Sequence, residues 1–229
     1  MLLIEIAHPE DTLDDNDHQV LSNSIVDLFL APDGHAEETD QRARTTTHIA
    51  FRELRNWRTG HGTPPKDAAP PMILTVTVPE AWRAEAGRTF IGLLRTAVQR
   101  LDTARDWKRE RGTLWVRVDG VPDGDIGLDG RPATSEDVLD FLTEDFRAAQ
   151  ASGTTTPAPE GKLIDPVCGM TVADRGNAVT IVHNGVRLGF CAHGCRNSYA
   201  QRHGIPVPGD DPRSATTPRS SRSSTNTPS

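Results

Sequence analysis

The chain has 229 residues, a formal net charge of −7 at pH 7 and 35% hydrophobic residues, enough for one ordinary domain and a smaller second unit, with some length left for linkers or tails. The charge is uneven, −11 over residues 1–160 and +3 over residues 161–208, which argues against nucleic-acid binding by the larger part. No apolar run approaches the roughly 18 residues that a membrane helix needs, so we expect no membrane partner.

The first 150 residues contain the same pattern twice. Strand-like segments at 1–7 and 72–78 are rich in β-branched residues, and each precedes a segment with the apolar spacing of a helix. A second strand-like segment follows each helix, at 47–54 and at 113–121. The apolar stripes are Val20, Leu21, Ile25, Leu28 and Phe29 in the first helix and Phe90, Ile91, Leu94, Val98 and Leu101 in the second. A β-α-β unit is therefore predicted twice.

One more helix is predicted after the second unit. Thr134 or Ser135 can cap its start. Its apolar stripe consists of Val138, Leu139, Leu142 and Phe146. The predicted fold class is therefore α+β, with two β-α-β units followed by one more helix.

This arrangement, over about residues 1–146, resembles the tautomerase superfamily. The resemblance implies that the two β-α-β units form a four-stranded sheet backed by two helices, and that the chain assembles as a homo-oligomer, usually a trimer. The catalytic base of that family is an amino-terminal proline. This chain begins Met1-Leu2, and we expect the bulky Leu2 to leave Met1 in place, so no proline nitrogen becomes free. The large domain is therefore expected to be non-catalytic, and a keto-enol isomerase that uses another base is the alternative.

Other polar and aromatic residues of the large domain are interpreted as structural or surface residues rather than as functional ones. His8 and His48 are interpreted as exposed or hydrogen-bonded side chains rather than catalytic ones. The arginines Arg42, Arg44, Arg52, Arg55 and Arg117 are interpreted as solvated surface residues. The tryptophans Trp57, Trp82, Trp107 and Trp115 are interpreted as core or subunit-contact residues.

The composition changes twice after the large domain, which we place at residues 1–150. Gly, Thr and Pro without apolar periodicity predict a linker at 151–162. A small domain follows at 163–208, and the Ser/Thr/Pro/Arg-rich residues 209–229 are predicted to form a disordered tail.

All three cysteines lie in the small domain. Between Cys168 and Cys191, alternating apolar residues flank Asn184-Gly185, the dipeptide typical of a two-residue hairpin turn. Such a hairpin returns Cys191 to the level of Cys168. Cys195 then falls in the first turn of a predicted helix that ends near Gly204, on the same face as Cys191. The spacing therefore predicts that three thiols converge.

The motifs "DPVCGM" and "FCAHGC", separated by a hairpin, resemble a YHS domain of the TRASH-like group of metal-binding modules. The resemblance implies that Cys168, Cys191 and Cys195 are metal ligands. Three thiolates suit copper(I), whereas zinc needs a fourth ligand, which His193 or His183 can supply.

Metal binding by the three cysteines has one structural alternative. Free cysteines often simply fill a core. A 43-residue unit, however, generally needs a metal or a disulfide to fold, which favours a metal site. The acidic start of the sequence does not fit a secretory signal peptide, so we expect a cytoplasmic protein, in which three thiols are unlikely to form a disulfide framework. The sequence therefore predicts a cytoplasmic copper- or zinc-binding protein fused to a tautomerase-like domain. The alternative is an isomerase of the tautomerase type with a metal-sensing or metal-delivery arm.

Overall fold

A computed structural model describes residues 2–30, 36–153 and 158–207. The predicted tail at 209–229, and residues 154–157 of the predicted linker, lie outside the described residues. Among the residues that are described, no helix has both the length and the apolar character needed to cross a bilayer.

The large part of the chain contains six strands and four helices within the described ranges. In chain order they are β1 (Leu2–Pro9), α1 (Asp15–Phe29), α2 (Glu37–Thr45), β2 (Thr47–Leu54), β3 (Met72–Pro79), α3 (Glu80–Ala104), β4 (Leu114–Val121), β5 (Ile126–Leu128), β6 (Arg131–Ala133) and α4 (Ser135–Ala151). The small part contains β7 (Lys162–Ile164), β8 (Thr171–Ala173), β9 (Val179–His183), β10 (Val186–Phe190) and α5 (His193–His203).

The four long strands form one mixed sheet in the order β2-β1-β3-β4. Strand β1 runs parallel to β2, and β3 runs parallel to β4, because a helical crossover joins each pair. The two units meet where β1 and β3 pair antiparallel. This sheet, with helices on one face, confirms the predicted α+β fold class of two β-α-β units.

The main core lies between the sheet and the helices α1 and α3. The central strands contribute Ile4, Ile6, Met72, Leu74, Val76 and Val78. The helices contribute Leu21, Ile25, Leu94, Ala97, Val98 and Leu101. Ile91 was placed in the predicted stripe of α3 but is 44% exposed. It lies roughly 60° around the helix from Leu94, at the edge of the buried stripe.

Helix α2 and the short β5–β6 hairpin were not predicted. Helix α2 has no apolar stripe, and its single buried residue is Thr39. A charge signal was nevertheless present, with Glu37 and Glu38 in the first turn and Arg42 and Arg44 in the last, as the helix dipole favours. Helix α2 packs against α4, where Arg42 forms a two-point ion pair with Asp145.

The small domain consists of two hairpins and α5. Strand β7 pairs antiparallel with β8, and β9 pairs antiparallel with β10. Asn184 and Gly185 have φ values of 52° and 78°, both positive, as the predicted hairpin turn requires. A second core of Val167, Cys168, Phe190 and Cys195 forms here, and Leu139 of α4 packs against it. The small domain is therefore docked on the large one.

Candidate metal centre

Cys168 lies in a tight turn between β7 and β8. The N–H of Gly169 donates to the carbonyl of Asp165 at 2.8 Å, and the N–H of Asp165 donates to the carbonyl of Met170, also at 2.8 Å. Gly169 has a φ of +75°, a left-handed conformation that glycine adopts without strain. The turn places Cys168 in the interior, where it is 5% exposed.

The other two cysteines are positioned by the hairpin and by α5. Antiparallel pairing of β9 with β10 returns Cys191, directly after β10, to the level of Cys168. Helix α5 begins at His193, which puts Cys195 in its first turn. The sulfurs of Cys168 and Cys191 are 3.6 Å apart, and those of Cys191 and Cys195 are 3.5 Å apart. The three thiols that the sequence predicted to converge do so.

A fourth group joins them. Asp165 is fully buried, and one of its carboxylate oxygens and the three sulfurs all lie within 4.8 Å of one another. The carboxylate also accepts hydrogen bonds from the backbone N–H groups of Val167 and Cys191, each at 2.8 Å. These contacts fix its orientation, as second hydrogen bonds to a metal-ligating carboxylate do.

The spacing of the sulfurs fits a bound ion. An ion with metal–sulfur bonds of about 2.3 Å separates its thiolates by roughly 3.8 Å in a tetrahedral site and roughly 4.0 Å in a trigonal one. The observed 3.5 and 3.6 Å are close to these values. A disulfide would join two sulfurs at about 2.0 Å, and all three cysteines are free thiols.

Asp165 and the three cysteines shift one another's pKa values. Burial, together with the nearby Cys168 thiolate, raises the pKa of Asp165 to about 7. Hydrogen bonds from the thiols of Cys191 and Cys195 hold the pKa of Cys168 well below its usual value, and the same bonds raise the pKa of both donors. The neighbouring S–H groups thus favour the thiolate form of Cys168 over its thiol form. A metal ion at this point would replace those protons, because thiolate is the ligand form of cysteine.

The two histidines considered as fourth ligands lie elsewhere. The His193 side chain is 57% exposed, and its Nδ1 lies 2.8 Å from Oε1 of Glu85 on α3. The Nδ1 of His183 lies 2.8 Å from the Tyr199 hydroxyl. Neither joins the group of Asp165 and the cysteines. Sequence reasoning missed Asp165, although an Asp-Pro pair at the start of a tight turn was a visible signal.

The arginines, histidines and tryptophans considered in the large domain lie in varied surroundings. All five arginines singled out in the sequence form ion pairs with carboxylates of this chain: Arg42, Arg44, Arg52, Arg55 and Arg117. His48 is exposed and, with Leu3 and Ile126, lines a largely apolar cavity of about 280 Å³. His8 is fully buried, and Trp115 is 69% exposed rather than in the core.

No protein-family model matches the chain, and no curated protein matches it. Among solved structures it is similar to a fused 4-OT described as a wild-type asymmetric trimer, at 20% identity, 57% of this chain, 95% of that chain and a TM-score of 0.39. It is also similar to a native fused 4-OT, at 18% identity over 57% of this chain and 95% of that chain, with a TM-score of 0.40. N1, a member of the cis-3-chloroacrylic acid dehalogenase family, is 11% identical over 66% of this chain and 99% of that chain, with a TM-score of 0.41. These are tautomerase-superfamily structures, and likeness at this level does not extend to activity.

Proposed function

We propose that the chain binds a soft metal ion, copper(I) or zinc, through Cys168, Cys191 and Cys195 in a YHS-type module, and that the attached tautomerase-like domain is not catalytic. One observation carries the proposal. Three free thiols with sulfurs 3.5 and 3.6 Å apart share a buried pocket with the carboxylate of Asp165.

A bound cation explains why four acidic groups are gathered in the interior. An apolar core of the same size needs no carboxylate, and burying Asp165 without a positive partner is unfavourable. No lysine or arginine of the described residues forms an ion pair with it, although the backbone N–H groups of Val167 and Cys191 donate hydrogen bonds to it. Direct coordination to a metal ion would give the carboxylate a positive partner.

The choice of metal depends on the fourth ligand. Three thiolates alone suit copper(I), whereas an added carboxylate oxygen completes the four-coordinate set that zinc prefers. Asp165 is the better-placed fourth ligand. His193, the ligand suggested by the sequence, would have to leave Glu85 to reach the ion.

Metal content measured after purification under reducing conditions, without a polyhistidine tag, tests the proposal. We expect about one equivalent of copper or zinc in the wild type and none in a Cys191→Ser/Cys195→Ser variant. Met170→Leu is a matched control, because it removes the thioether next to Cys168 and leaves the thiols intact; it should keep the metal. Equally negligible content in the wild type and the double variant, also after incubation with either metal, would refute the proposal.

The large domain is proposed to serve assembly as a homo-oligomer in the cytoplasm. The face of the sheet opposite the helices exposes Leu3, Ile73 and Trp115, and Ile73 lies beside Trp115 in the register of β3 and β4. Exposed apolar groups that adjoin on a sheet are typical of subunit contacts. Light scattering should give a multiple of the 24.9 kDa chain mass. Trp115→Ser should reduce it, and a monomeric wild type would contradict the assembly.

Absence of catalysis has its own test. The enol–keto conversion of an aryl pyruvate should proceed no faster with the protein than in buffer. A rate above buffer that survives removal of the metal would favour the isomerase instead.

A further inference from the structure

The loop that carries Cys168 is held by the large domain. Thr39 of α2 is 6% exposed, and its hydroxyl donates a hydrogen bond of 2.9 Å to the carbonyl of Cys168. The next residue, Gly169, lies so close to Ala36 and Phe146 that an added Cβ would overlap both. The backbone at the first thiol is therefore fitted against α2 and α4.

The helix that carries Cys195 is also held from outside its own domain. Its N-cap, Ala192, makes no side-chain hydrogen bond, and the first turn of α5 contains no acidic residue. Glu85 of α3 takes over that role, because its carboxylate accepts from the backbone N–H of His193 at 3.0 and 3.1 Å. A carboxylate at a helix N-terminus satisfies a free N–H and interacts favourably with the helix dipole.

Further contacts continue along α5. The hydroxyl of Ser198 donates to Glu136 of α4 at 3.0 Å, and Arg202 forms an ion pair with Asp140. The partners on α3 and α4 are all acidic. They match the opposite net charges of the two parts of the chain, −11 over residues 1–160 and +3 over residues 161–208.

We propose that Thr39 and Glu85 are positioning residues of the metal site, so that docking of the small domain and metal binding form one linked equilibrium. The inference rests on the proposed metal binding and assigns part of the affinity to residues that do not touch the ion. Both residues fix backbone next to a ligand, Thr39 at Cys168 and Glu85 between Cys191 and Cys195.

The linkage has a physical basis in conformational entropy. Ligands that are already ordered lose less freedom when the ion binds, so contacts that order them raise the affinity. Because linkage is reciprocal, a bound ion must strengthen the docking contacts by the same factor. A lost hydrogen bond of about 1–1.5 kcal/mol corresponds to a change of roughly 5- to 10-fold in affinity.

Four full-length variants test the inference by competition with a chromophoric chelator, using zinc alone and copper(I) alone. Glu85→Ala and Thr39→Val should each weaken binding roughly 5- to 10-fold. Glu85→Gln and Thr39→Ser keep an acceptor and a hydroxyl, and should stay within about 3-fold of the wild type. Glu110→Ala is the matched control, because Glu110 is exposed and its carboxylate makes no hydrogen bond or ion pair with another described residue.

Hydrogen exchange supplies a readout that a purely structural role would not move. Adding metal to the wild type should slow exchange at the amides of α5 and also along the turn of α3 around Glu85. That second effect should be absent in Glu85→Ala. Wild-type affinity in both Glu85→Ala and Thr39→Val would overturn the inference while leaving metal binding intact. A wild type that takes up neither metal would overturn both.

Discussion

The carboxylate of Asp165 accepts a hydrogen bond of 2.8 Å from the backbone N–H of Cys191, 26 residues further along the chain. Its other oxygen accepts from the N–H of Val167, also at 2.8 Å. One side chain therefore ties the loop of the first cysteine to the loop of the second, independently of any ion.

Replacing Asp165 should destabilise the small domain even without metal. In Asp165→Ala both N–H groups lose their acceptor, and we expect a loss of about 2–4 kcal/mol in the free energy of unfolding. Asp165→Asn keeps one oxygen acceptor and should lose roughly half as much. Urea denaturation in the presence of reductant and chelator measures the difference.

Asp174→Ala is the control for Asp165, because Asp174 forms a partly exposed ion pair with Arg187. Its loss should be within about 0.5–1 kcal/mol. Equal losses at both positions would show that the buried carboxylate does not organise the two loops.

Gly169 should tolerate alanine far less well than Gly185, although both have a positive φ, 75° and 78°. At Gly185 an added Cβ meets nothing within 4 Å, so only the backbone strain of about 1–2 kcal/mol applies. At Gly169 it would overlap Ala36 and approach a Phe146 carbon at 2.7 Å, which adds about 1–3 kcal/mol. Thermal denaturation of the two variants compares them directly. A larger loss for Gly185→Ala would contradict the docked arrangement.

The fold was largely predictable because its signals are local. Apolar residues recur at the spacing of a strand in segments such as 47–54 and 72–78, and at the spacing of a helix around Leu94. The same order of strand, helix and strand occurs twice, so the doubled unit is visible in the sequence. Helix α2 was missed because it turns no apolar stripe toward the sheet and has only Thr39 buried. The trace of this helix was in its terminal charges.

The candidate site was predictable only in part, because only some of its contacts arise from local sequence patterns. The hairpin around Asn184-Gly185 and the four-residue spacing of Cys191 and Cys195 are local, so the meeting of the thiols followed from spacing. The Asp-Pro pair signals a tight turn at Asp165, but the place of its carboxylate beside the thiols could not be predicted, because its hydrogen bonds come from backbone N–H groups, which have no sequence signature. The contact from Thr39 to Cys168 joins residues 129 positions apart, and nothing in residue spacing indicates it.

Removing one partner of the ion pair between Asp102 and Arg109 should cost far more stability than removing one partner of an exposed pair. The two side chains are only 12% and 11% exposed, and Arg109 also donates to the carbonyl of Pro70. Arg109→Leu leaves a carboxylate largely buried without its partner, and we expect a loss of about 3–5 kcal/mol.

The comparison for Arg109 is the pair of Lys66 with Asp11, with side chains 68% and 69% exposed. Lys66→Leu should change stability by less than about 1 kcal/mol. Chemical denaturation of both variants at one pH gives the answer. A small loss in Arg109→Leu would mean that Asp102 is satisfied by other groups.

His8 should make the large domain sensitive to acid. It is fully buried, its Nδ1 lies 3.0 Å from the Pro9 carbonyl, and its Nε2 has no hydrogen-bond partner among the described residues. Burial lowers the pKa of His8 below its usual 6.5; the Pro9 carbonyl opposes this shift, the ring of His18 on α1 adds to it, and Glu53 on β2 opposes it.

The direction of the pH effect follows from the lowered pKa. Between that pKa and 6.5 the unfolded chain binds a proton at His8 and the folded chain does not, so stability falls as the pH drops below about 6.5. In His8→Gln this loss is absent, and the stability gap between wild type and variant should narrow from pH 8 to pH 5. Urea denaturation across that range, with His61→Gln as an exposed control, measures the gap. Parallel stability curves for wild type and His8→Gln would show that His8 takes up its proton equally in both states.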